Sequence, residues 1–406
     1  MTPTTHKPKI FMMDLWAIVP YYTAYLSRAL LNEGVDISVG SITYYLDPDC
    51  FSSRGIPLDP GPLNIVGRFS FSKLPRRILK LLESTINLFA LTIRFIMAPP
   101  DIIHVQYLPM LRSRIPMDLW FVRFFQSRGT RIVLTVHDLL PHDTGDRYKR
   151  TFLNLYGHVD AIICHSDHVA ARLQNEFHVP TSKIYIIPHG PFFYDVLAPE
   201  SPASLESFGI VSKQLVFLFQ GIIFPYKGVD LLLEAWQLVE LETSEGCLIV
   251  VGTASPELQT QLRLQMQQLH LQRVHLHFRF ISTEDLVALY QAADVVVYPY
   301  RAITTSGALA TGLARGKTII ASDLSVFREL LTDEESALLI DPENTNQFAA
   351  ALLRLAAEPD LREALAARIR AMHYGDRTWR SIAIRTFDAY EEVLGQSVSS
   401  SLAKGS

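Results

Sequence analysis

Short apolar runs rich in β-branched residues alternate with longer segments of helical periodicity along most of the chain. Strands that are buried on both faces and separated by helices are typical of parallel sheets covered by helices. The pattern therefore predicts such sheets in both halves. The predicted strands are 9–15, 36–44, 102–105, 131–136, 161–164 and 184–187, then 215–220, 247–251, 275–280, 295–297, 318–321 and 337–340.

The length of 406 residues fits two domains of roughly 150–200 residues each. A stretch without periodicity, 191–213, contains prolines and serines and is predicted to be a linker. We therefore predict an α/β protein with two doubly wound, Rossmann-like domains at 1–190 and 214–376. An amphipathic helix over 377–396 is expected to pack back on the first domain, and the polar tail 397–406 is expected to be disordered.

One predicted helix, 78–97, carries two apolar stripes. Its charged residues, which argue against a transmembrane span, are Lys80, Glu83 and Arg94. Two interpretations stay open: a helix buried between layers, or a helix lying on a bilayer surface. In the second interpretation Arg76, Arg77 and Lys80 would lie over anionic headgroups.

The formal net charge of −4 hides an uneven distribution. Between Gly67 and Arg131 there are eleven Lys and Arg residues against three acidic ones. Such a segment favours an anionic partner, here an anionic membrane surface. The basic residues are not interleaved with aromatic residues in the manner of a stacking platform, so a nucleic-acid partner is not expected.

The three cysteines, Cys50, Cys164 and Cys247, lie far apart, which predicts neither a disulfide framework nor a zinc site. No two histidines lie four apart on one predicted helix beside an acid, so no metal is expected. A polar start leads directly into an apolar strand, unlike a signal peptide. We therefore expect a cytoplasmic protein, with the inner face of the membrane as a place of action.

Two loops of the second half have the chemistry of a phosphate site. Gly221 follows a strand, and Lys227 and Gly228 precede a helix, where a lysine can reach a diphosphate. The alternative is a solvated surface lysine. The segment YPYRAITTSGALATGLARGKTIIASD, residues 298–323, suits a loop wrapped around an anion. The anion site is predicted at the start of its helix, from Thr305, Ser306, Gly307 and Ala308; the alternative is a small-residue turn for tight packing.

Neither half opens with GxGxxG, so a nicotinamide or flavin site is not favoured. Five other motifs occur in order at suitable spacings: PPDIIHVQ, LTVHDLLPH, IYIIPHG, FPYKGVDLLLEAW and SGALATGLARGKTIIASD. Together they resemble the family 4 glycosyltransferases, which have the two-domain GT-B architecture. The resemblance spans nearly the whole chain. It implies that Lys227 is the diphosphate lysine and that the donor lies mainly in the C-terminal domain, in the cleft between domains.

The chain departs from the commoner pattern of that family at three positions. Phe224 stands in the stretch where many relatives carry an arginine, and Arg301 is the residue that would compensate. Ile303 and Thr311 occupy the places of two glutamates, as in relatives with a Thr-x-Ser-Gly loop. Glu329 matches a glutamate that would bind ribose or sugar hydroxyls; the alternative is a residue on the helix surface.

Candidate catalytic residues in the first half follow buried strands, where open parallel sheets bind ligands. The resemblance implies that His137, followed by Asp138, hydrogen-bonds the transferring sugar or the acceptor. His189, at the end of IYIIPHG, is the other candidate, and a structural role is the alternative for either histidine. Secondary candidates are His104, His142 and His165.

The resemblance implies a retaining hexosyltransferase that moves sugar from a nucleotide-diphosphate sugar to a hydroxyl of a glycan or lipid-linked acceptor. No cofactor or metal is expected, and the donor phosphate would act as the base. Two rival functions stay open. One is a nucleotide-sugar epimerase or hydrolase on the same fold. The other is a non-catalytic sugar-nucleotide-binding partner, favoured by the missing arginine and glutamates.

Overall fold

The computed structural model describes residues 7–69, 73–113, 115–141, 145–196, 205–211, 214–243, 246–372 and 377–402. The chain divides into two compact units, Met1–Gly190 with Gly375–Ser406, and Pro191–Tyr374. Each unit contains a six-stranded parallel sheet, and helices connect the strands. The predicted α/β architecture of two doubly wound domains is thereby confirmed.

The sheet of the first unit has the strand order β2-β1-β3-β4-β5-β6. Its strands are β1 (Lys9–Met13), β2 (Asp36–Gly40), β3 (Ile102–Val105), β4 (Arg131–Thr135), β5 (Ala161–Cys164) and β6 (Ile184–Ile186). The helices between them are α1 (Pro20–Asn32), α2 (Lys73–Met97), α3 (Met117–Ser127), α4 (Lys149–His158) and α5 (Asp167–Phe177).

The sheet of the second unit has the order β12-β11-β10-β7-β8-β9. Its strands are β7 (Val216–Gln220), β8 (Cys247–Val251), β9 (Val274–His277), β10 (Val295–Tyr298), β11 (Thr318–Ser322) and β12 (Leu338–Ile340). Its helices are α6 (Val229–Glu242), α7 (Pro256–Gln268), α8 (Thr283–Ala292), α9 (Gly307–Ala314), α10 (Ser325–Arg328), α11 (Thr345–Ala357) and α12 (Pro359–Arg370).

The strands form where the sequence has continuous apolar runs, because both faces of each sheet are covered. Every residue of β3, β5 and β8 is buried. β2 ends at Gly40, short of the predicted limit of 44, because the next residues pair elsewhere: the Thr43 amide donates to Asn64 Oδ1 at 2.9 Å. The candidate site residues follow the carboxyl ends of these parallel strands.

The closing helix α13 (Trp379–Leu402) belongs to the first unit. Trp379 stacks on Tyr25 with ring centres 5.4 Å apart, and Tyr390 is fully buried. Helix α13 continues to Leu402, into the stretch 397–406 for which the sequence predicts disorder. Neither proline nor glycine interrupts the sequence between Gly395 and Leu402, so helical backbone hydrogen bonds can continue. Residues 403–406 lie outside the described part of the chain.

The predicted linker 191–213 packs onto the second unit where it is described. Phe193 and Phe208 are buried, and the Phe208 ring lies 5.0 Å from that of His277. Arg315 donates to the carbonyl oxygen of Phe193. The described parts of this segment therefore pack as part of the second unit, because burial of their aromatic side chains is favourable. Residues 197–204, 212 and 213 lie outside the described residues.

Helix α2 buries one apolar stripe and exposes the other. Leu88, Leu91 and Phe95 are buried in the core of the first unit. The exposed stripe contains Leu82, Ile86, Phe89, Ile93 and Ile96. The interpretation of a helix buried between layers is therefore wrong, since Phe89 alone is 69% exposed. In the part of the chain that the structure describes, no helix is long and apolar enough to cross a membrane.

Candidate functional site

Lys227 closes a short 3₁₀ turn, Pro225–Lys227, between β7 and α6. Its ammonium nitrogen lies 5.2 Å from the centre of the Tyr300 ring. A Cβ on Gly221 would come within 3.0 Å of the same nitrogen, so the ammonium also lies against the end of β7. The backbone amide of Arg301 donates to Tyr226 O at 2.7 Å. Lys227 is thus placed between the carboxyl ends of β7 and β10.

Gly228 makes this close approach feasible. Its φ is +66°, and a Cβ there would lie 1.9 Å from the carbonyl oxygen of Pro299. Any larger residue would push the lysine turn away from the segment after β10. The same contact requirement holds at Gly252, where a Cβ would lie 1.8 Å from Gly221 O. The predicted glycines Gly221 and Gly228 therefore shape the site through the backbone.

Arg301, the residue predicted to compensate for Phe224, has partners within its own unit. Its guanidinium donates to both carboxylate oxygens of Asp230 at 2.8 Å and to the carbonyl oxygen of Pro225 at 2.9 Å. Glu343 lies 3.3 Å from its Nε. These neighbours use most of its N–H groups, so Arg301 positions the lysine turn, and its contact with the donor stays a prediction. Phe224 itself is 46% exposed and stacks on Tyr226.

The loop before α9 ends in a helix cap. Ser306 Oγ accepts from the Leu309 amide at 3.1 Å, so the first-turn amides of Gly307 and Ala308 point out of the helix start. The carbonyl oxygen of Ala308 accepts from the Tyr298 hydroxyl at 2.8 Å. Within the described residues, the buried Thr305 hydroxyl has no hydrogen-bond partner. The helix start is therefore held rigidly and offers donors to an anion.

The positions of the two missing glutamates have different surroundings. Thr311 is 2% exposed; its hydroxyl donates to Gly307 O at 2.8 Å and accepts from the Phe192 amide at 3.3 Å. It therefore serves the packing of α9. Ile303 is half-buried in the loop. Glu329 is exposed at the end of α10, as in the alternative of a helix-surface residue, while Arg328 pairs with Asp323.

In the first unit, His137 and Asp138 directly follow β4. His137 is half-buried, Asp138 is exposed, and both line a pocket. Other residues that line this pocket are Gln106, Tyr107, Arg112, Thr135 and Tyr156. The His137 Nε2 atom lies 3.1 Å from Gln106 Oε1. His137 thus lies at the end of β4, as predicted, and its imidazole is hydrogen-bonded to Gln106.

His137 and His189 belong to one cluster of rings together with Tyr22, His165 and Trp379. The Tyr22 ring lies 4.7 Å from that of His137 and 5.2 Å from that of His189. His165 lies between the two histidines, at 5.5 Å and 5.3 Å. Trp379 closes the cluster at 5.4 Å from Tyr22. His165 follows β5, which was the available clue, whereas nothing local indicates that Tyr22 or Trp379 would join it.

Burial keeps these imidazoles neutral. Desolvation lowers the pKa of His165 to about 4 and the pKa of His104 and of His189 to about 3. The pKa of His137 is lowered well below its ordinary value by burial and by the neighbouring imidazoles. They therefore act as neutral hydrogen-bonding groups. Among the described residues there is no group of three or more His, Cys, Asp or Glu that could hold a metal ion; His142 lies outside them.

Comparison with protein families gives a match for each unit. A model described as Glycosyl transferases group 1 matches residues 201–372, and one described as Glycosyltransferase Family 4 matches residues 19–190. The two matches together cover most of the chain. The chain belongs to the family 4 glycosyltransferases.

Relatives of this glycosyltransferase are distant in sequence. An uncharacterised glycosyltransferase of Methanocaldococcus jannaschii is 24% identical over 54% of this chain and 57% of that relative, so the match spans little more than half of either. A D-inositol 3-phosphate glycosyltransferase of Corynebacterium jeikeium is 25% identical over 72% of each chain.

Solved structures confirm the GT-B fold of this glycosyltransferase. HepE from Anabaena, solved with UDP and glucose, has a TM-score of 0.74 at 17% identity, covering 95% of this chain and 99% of that chain. Sucrose-phosphate synthase from Thermosynechococcus elongatus has a TM-score of 0.72 at 18% identity, covering 96% and 100%. At these identities the likeness shows the fold.

Proposed function

We propose that this family 4 glycosyltransferase is a retaining hexosyltransferase that transfers sugar from a nucleotide-diphosphate sugar to a hydroxyl acceptor. The observation that carries the proposal is the placement of Lys227 against Gly221 and Tyr300. In the same unit, the loop after Tyr300 leads to the capped start of α9. HepE, a structural neighbour, is solved with UDP-glucose, which supports a donor of this class.

In the proposed reaction, the Lys227 ammonium and the amides of Gly307 and Ala308 stabilise the diphosphate as it leaves. Charge stabilisation of this kind is commonly the largest contribution to catalysis. The Thr305 hydroxyl, buried without a partner among the described residues, gains one when a phosphate oxygen is bound. The leaving phosphate takes the acceptor proton, and the reaction proceeds without a metal or cofactor, as the family resemblance implies. Gly221, Gly228 and Arg301 hold the lysine turn.

His137 is proposed to hydrogen-bond the sugar or the acceptor in the first unit, with Asp138 beside it at the pocket. His189 is proposed to support it through the cluster around Tyr22. Glu329 is exposed at the end of α10 and is proposed to bind sugar or ribose hydroxyls, as the family resemblance implies. Each of these assignments concerns a neutral or exposed group that offers hydrogen bonds at low desolvation cost.

The acceptor is proposed to be a lipid-linked or polysaccharide intermediate at the inner face of the cytoplasmic membrane. Leu82 and Phe89 of α2 are 56% and 69% exposed, and Trp120 of the neighbouring α3 is 55% exposed. Exposed apolar side chains in such numbers are typical of a binding surface. Arg77 and Arg128 are exposed beside them, and the Arg128 guanidinium lies over the Phe124 ring. We call the exposed apolar residues of α2 and α3 the apolar face.

The basic residues expected over the headgroups need one correction. Lys80 donates to Trp16 O at 3.0 Å, and Arg76 lies over the Tyr45 ring, so both are occupied within the protein. Arg77 stays exposed. The attraction of the apolar face to anionic lipid is therefore assigned to Arg77 and Arg128, each worth about 1 kcal/mol near such a surface.

A second candidate function is a non-catalytic nucleotide-sugar-binding partner. The burial and full hydrogen bonding of Thr311 favour it, since no carboxylate stands at that position of the loop. Such a protein would bind a nucleotide-sugar through the same lysine turn and show no turnover on any acceptor.

The proposed function is tested by calorimetric binding of UDP, GDP and ADP to the wild type, to Lys227→Ala and to a control, Lys149→Ala in the first unit. We expect one of the three nucleotides to bind tightly to the wild type. Its affinity should fall at least tenfold in Lys227→Ala and stay unchanged in the control. Transfer assays with the matching nucleotide-sugar then separate the two candidates: turnover supports the transferase, and binding alone supports the partner. No binding by any of the three nucleotides would overturn both.

A further inference from the structure

Gln106 is buried between two imidazoles in the first unit. It directly follows β3 and is 1% exposed. Its Oε1 lies 3.1 Å from His137 Nε2. Its Nε2 lies 3.0 Å from His104 Nε2 and 2.9 Å from Met12 Sδ. The amide of Gln106 therefore contacts three side chains. Two are imidazoles, which can each donate or accept a hydrogen bond, and the third is a thioether.

The sulfur of Met12 decides which way this amide faces. A thioether carries no hydrogen and can only accept, whereas the amide nitrogen has two hydrogens to donate. With the nitrogen towards Met12, one hydrogen points to the sulfur and the other to His104 Nε2. The reversed amide would place two electron-rich atoms, oxygen and sulfur, 2.9 Å apart. The oxygen of Gln106 therefore faces His137.

The tautomer of His104 agrees with this orientation. Because its Nε2 accepts from Gln106, its proton is on Nδ1, which lies 2.5 Å from the Tyr390 hydroxyl. The Thr135 hydroxyl, 2.7 Å from Nε2, can donate to the same lone pair. His104 is fully buried, and its lowered pKa, about 3, keeps the ring neutral. A continuous set of hydrogen bonds thus runs from Tyr390 on α13 to His137.

The remaining bond fixes His137. Gln106 Oε1 can only accept, so His137 Nε2 carries the proton and donates it. In a neutral ring the other nitrogen, Nδ1, is then a lone pair. The rings in contact with it are those of His165 and Tyr22, and the His189 imidazole lies close enough to help lower its pKa. Within the described part of the chain, Nδ1 of His137 has no hydrogen-bond partner.

The two neighbouring histidines have the opposite tautomer. His165 Nδ1 lies 2.9 Å from Ile187 O, and His189 Nδ1 lies 2.6 Å from Gly190 O. A carbonyl oxygen only accepts, so both rings carry the proton on Nδ1. His137 therefore differs from its neighbours because of Gln106.

We infer that Gln106 is a positioning residue that holds His137 in the Nε2-protonated tautomer and so presents the Nδ1 lone pair as an acceptor for a hydroxyl of the sugar or the acceptor. The tautomer follows from the contacts of Gln106 alone. Only the use of the lone pair for a substrate hydroxyl rests on the proposed transferase function.

The test is long-range ¹H–¹⁵N NMR of histidine-labelled full-length protein, with turnover measured in parallel. In the wild type we expect His137 protonated on Nε2, and His104, His165 and His189 on Nδ1. Gln106→Leu should leave His137 in mixed tautomers and lower turnover about 3- to 10-fold, the loss of one neutral hydrogen bond. Gln174→Leu on α5 is the matched control and should change neither.

Gln106→Glu separates positioning from packing. A carboxylate accepts at both oxygens and cannot donate, so His137 should stay protonated on Nε2 while His104 switches from Nδ1 to Nε2. Wild-type His137 protonated on Nδ1, or Gln106→Leu with an unchanged His137 tautomer, would overturn the inference. The NMR measurement does not depend on transferase activity. Failure of the tautomer assignment can therefore be told apart from failure of the proposed function.

Discussion

The Arg301 guanidinium and the Asp230 carboxylate form two hydrogen bonds, both of 2.8 Å. Arg301 follows β10, and Asp230 is in the first turn of α6. The same guanidinium donates to Pro225 O at 2.9 Å. The pair therefore ties the start of α6 and the turn that carries Lys227 to the end of β10.

Asp230→Asn should loosen this turn. The amide retains one acceptor, so the unit stays folded with a loss of about 0.5–1 kcal/mol, the size of a partly exposed ion pair. Affinity for the bound nucleoside diphosphate should fall about 3- to 10-fold, because the lysine is less well oriented. Calorimetry and thermal unfolding check both effects. Glu334→Gln, which breaks the exposed pair with Arg354 in the same unit, is the control; equal affinities in both variants would contradict the positioning role.

Restoring an acid at position 311 should destabilise the protein. Thr311 is 2% exposed and its hydroxyl bonds two backbone groups, so Thr311→Glu would bury a larger, charged side chain and lose both bonds. We expect a loss of about 3 kcal/mol in the free energy of unfolding, measured with urea. Thr311→Val, which only removes the hydroxyl, should lose about 1–2 kcal/mol. A stable Thr311→Glu variant that binds the donor more tightly would contradict the packing role and show that position 311 faces the donor.

The buried histidines should make stability depend on pH. Their pKa in the folded chain, about 4 for His165, is below the ordinary value of 6.5. The stability from this neutral ring is therefore fully present above pH 6.5 and is lost as the pH falls towards 4. At pH 5.5 the loss is about 1.4 kcal/mol per imidazole. Burial raises the pKa of two carboxyls, Asp14 and Asp118. Their contribution to stability is therefore lost as the pH rises, opposite to that of the histidines.

A variant isolates the histidine contribution from that of the carboxyls. His165→Gln should be less stable than the wild type at pH 7.5, and this deficit should shrink by about 1.4 kcal/mol at pH 5.5. Ser166→Ala, which removes the non-ionising cap of α5, should show the same deficit at both pH values. A deficit of His165→Gln that does not change with pH would show that the ring is not held neutral.

The apolar face should bind anionic bilayers. In flotation with phosphatidylcholine vesicles that contain phosphatidylserine, the wild type should float, and it should float less with phosphatidylcholine alone. Leu82→Asp with Phe89→Asp should lower partitioning about tenfold or more per residue. Leu241→Asp, on the 76% exposed Leu241 of α6, is the control. Equal flotation with both vesicle types would count against the anionic surface.

The sequence predicts the sheets well because continuous apolar runs have few alternatives to a covered parallel sheet. It also predicts which residues follow the strands, such as Lys227 and His137, since chain order fixes that. It does not predict what a side chain meets across the sheet. Arg301 has the chemistry to bind a phosphate, and only the fold shows that Asp230 lies opposite it. The contact of Gln106 with Met12 likewise joins residues far apart in sequence.

Helix α13 makes the first unit discontinuous along the chain: its core residues Trp379, Ile382 and Tyr390 are synthesised after the whole second unit. At ribosomal rates of about 5–20 residues per second, this delay is on the order of 10–40 seconds. During that time Tyr25 lacks its stacking partner and His104 lacks the Tyr390 hydroxyl. The second unit, continuous from Pro191 to Tyr374, can complete its sheet first. The second unit can therefore be complete before the first, and a chain truncated before α13 lacks part of the core of its amino-terminal unit.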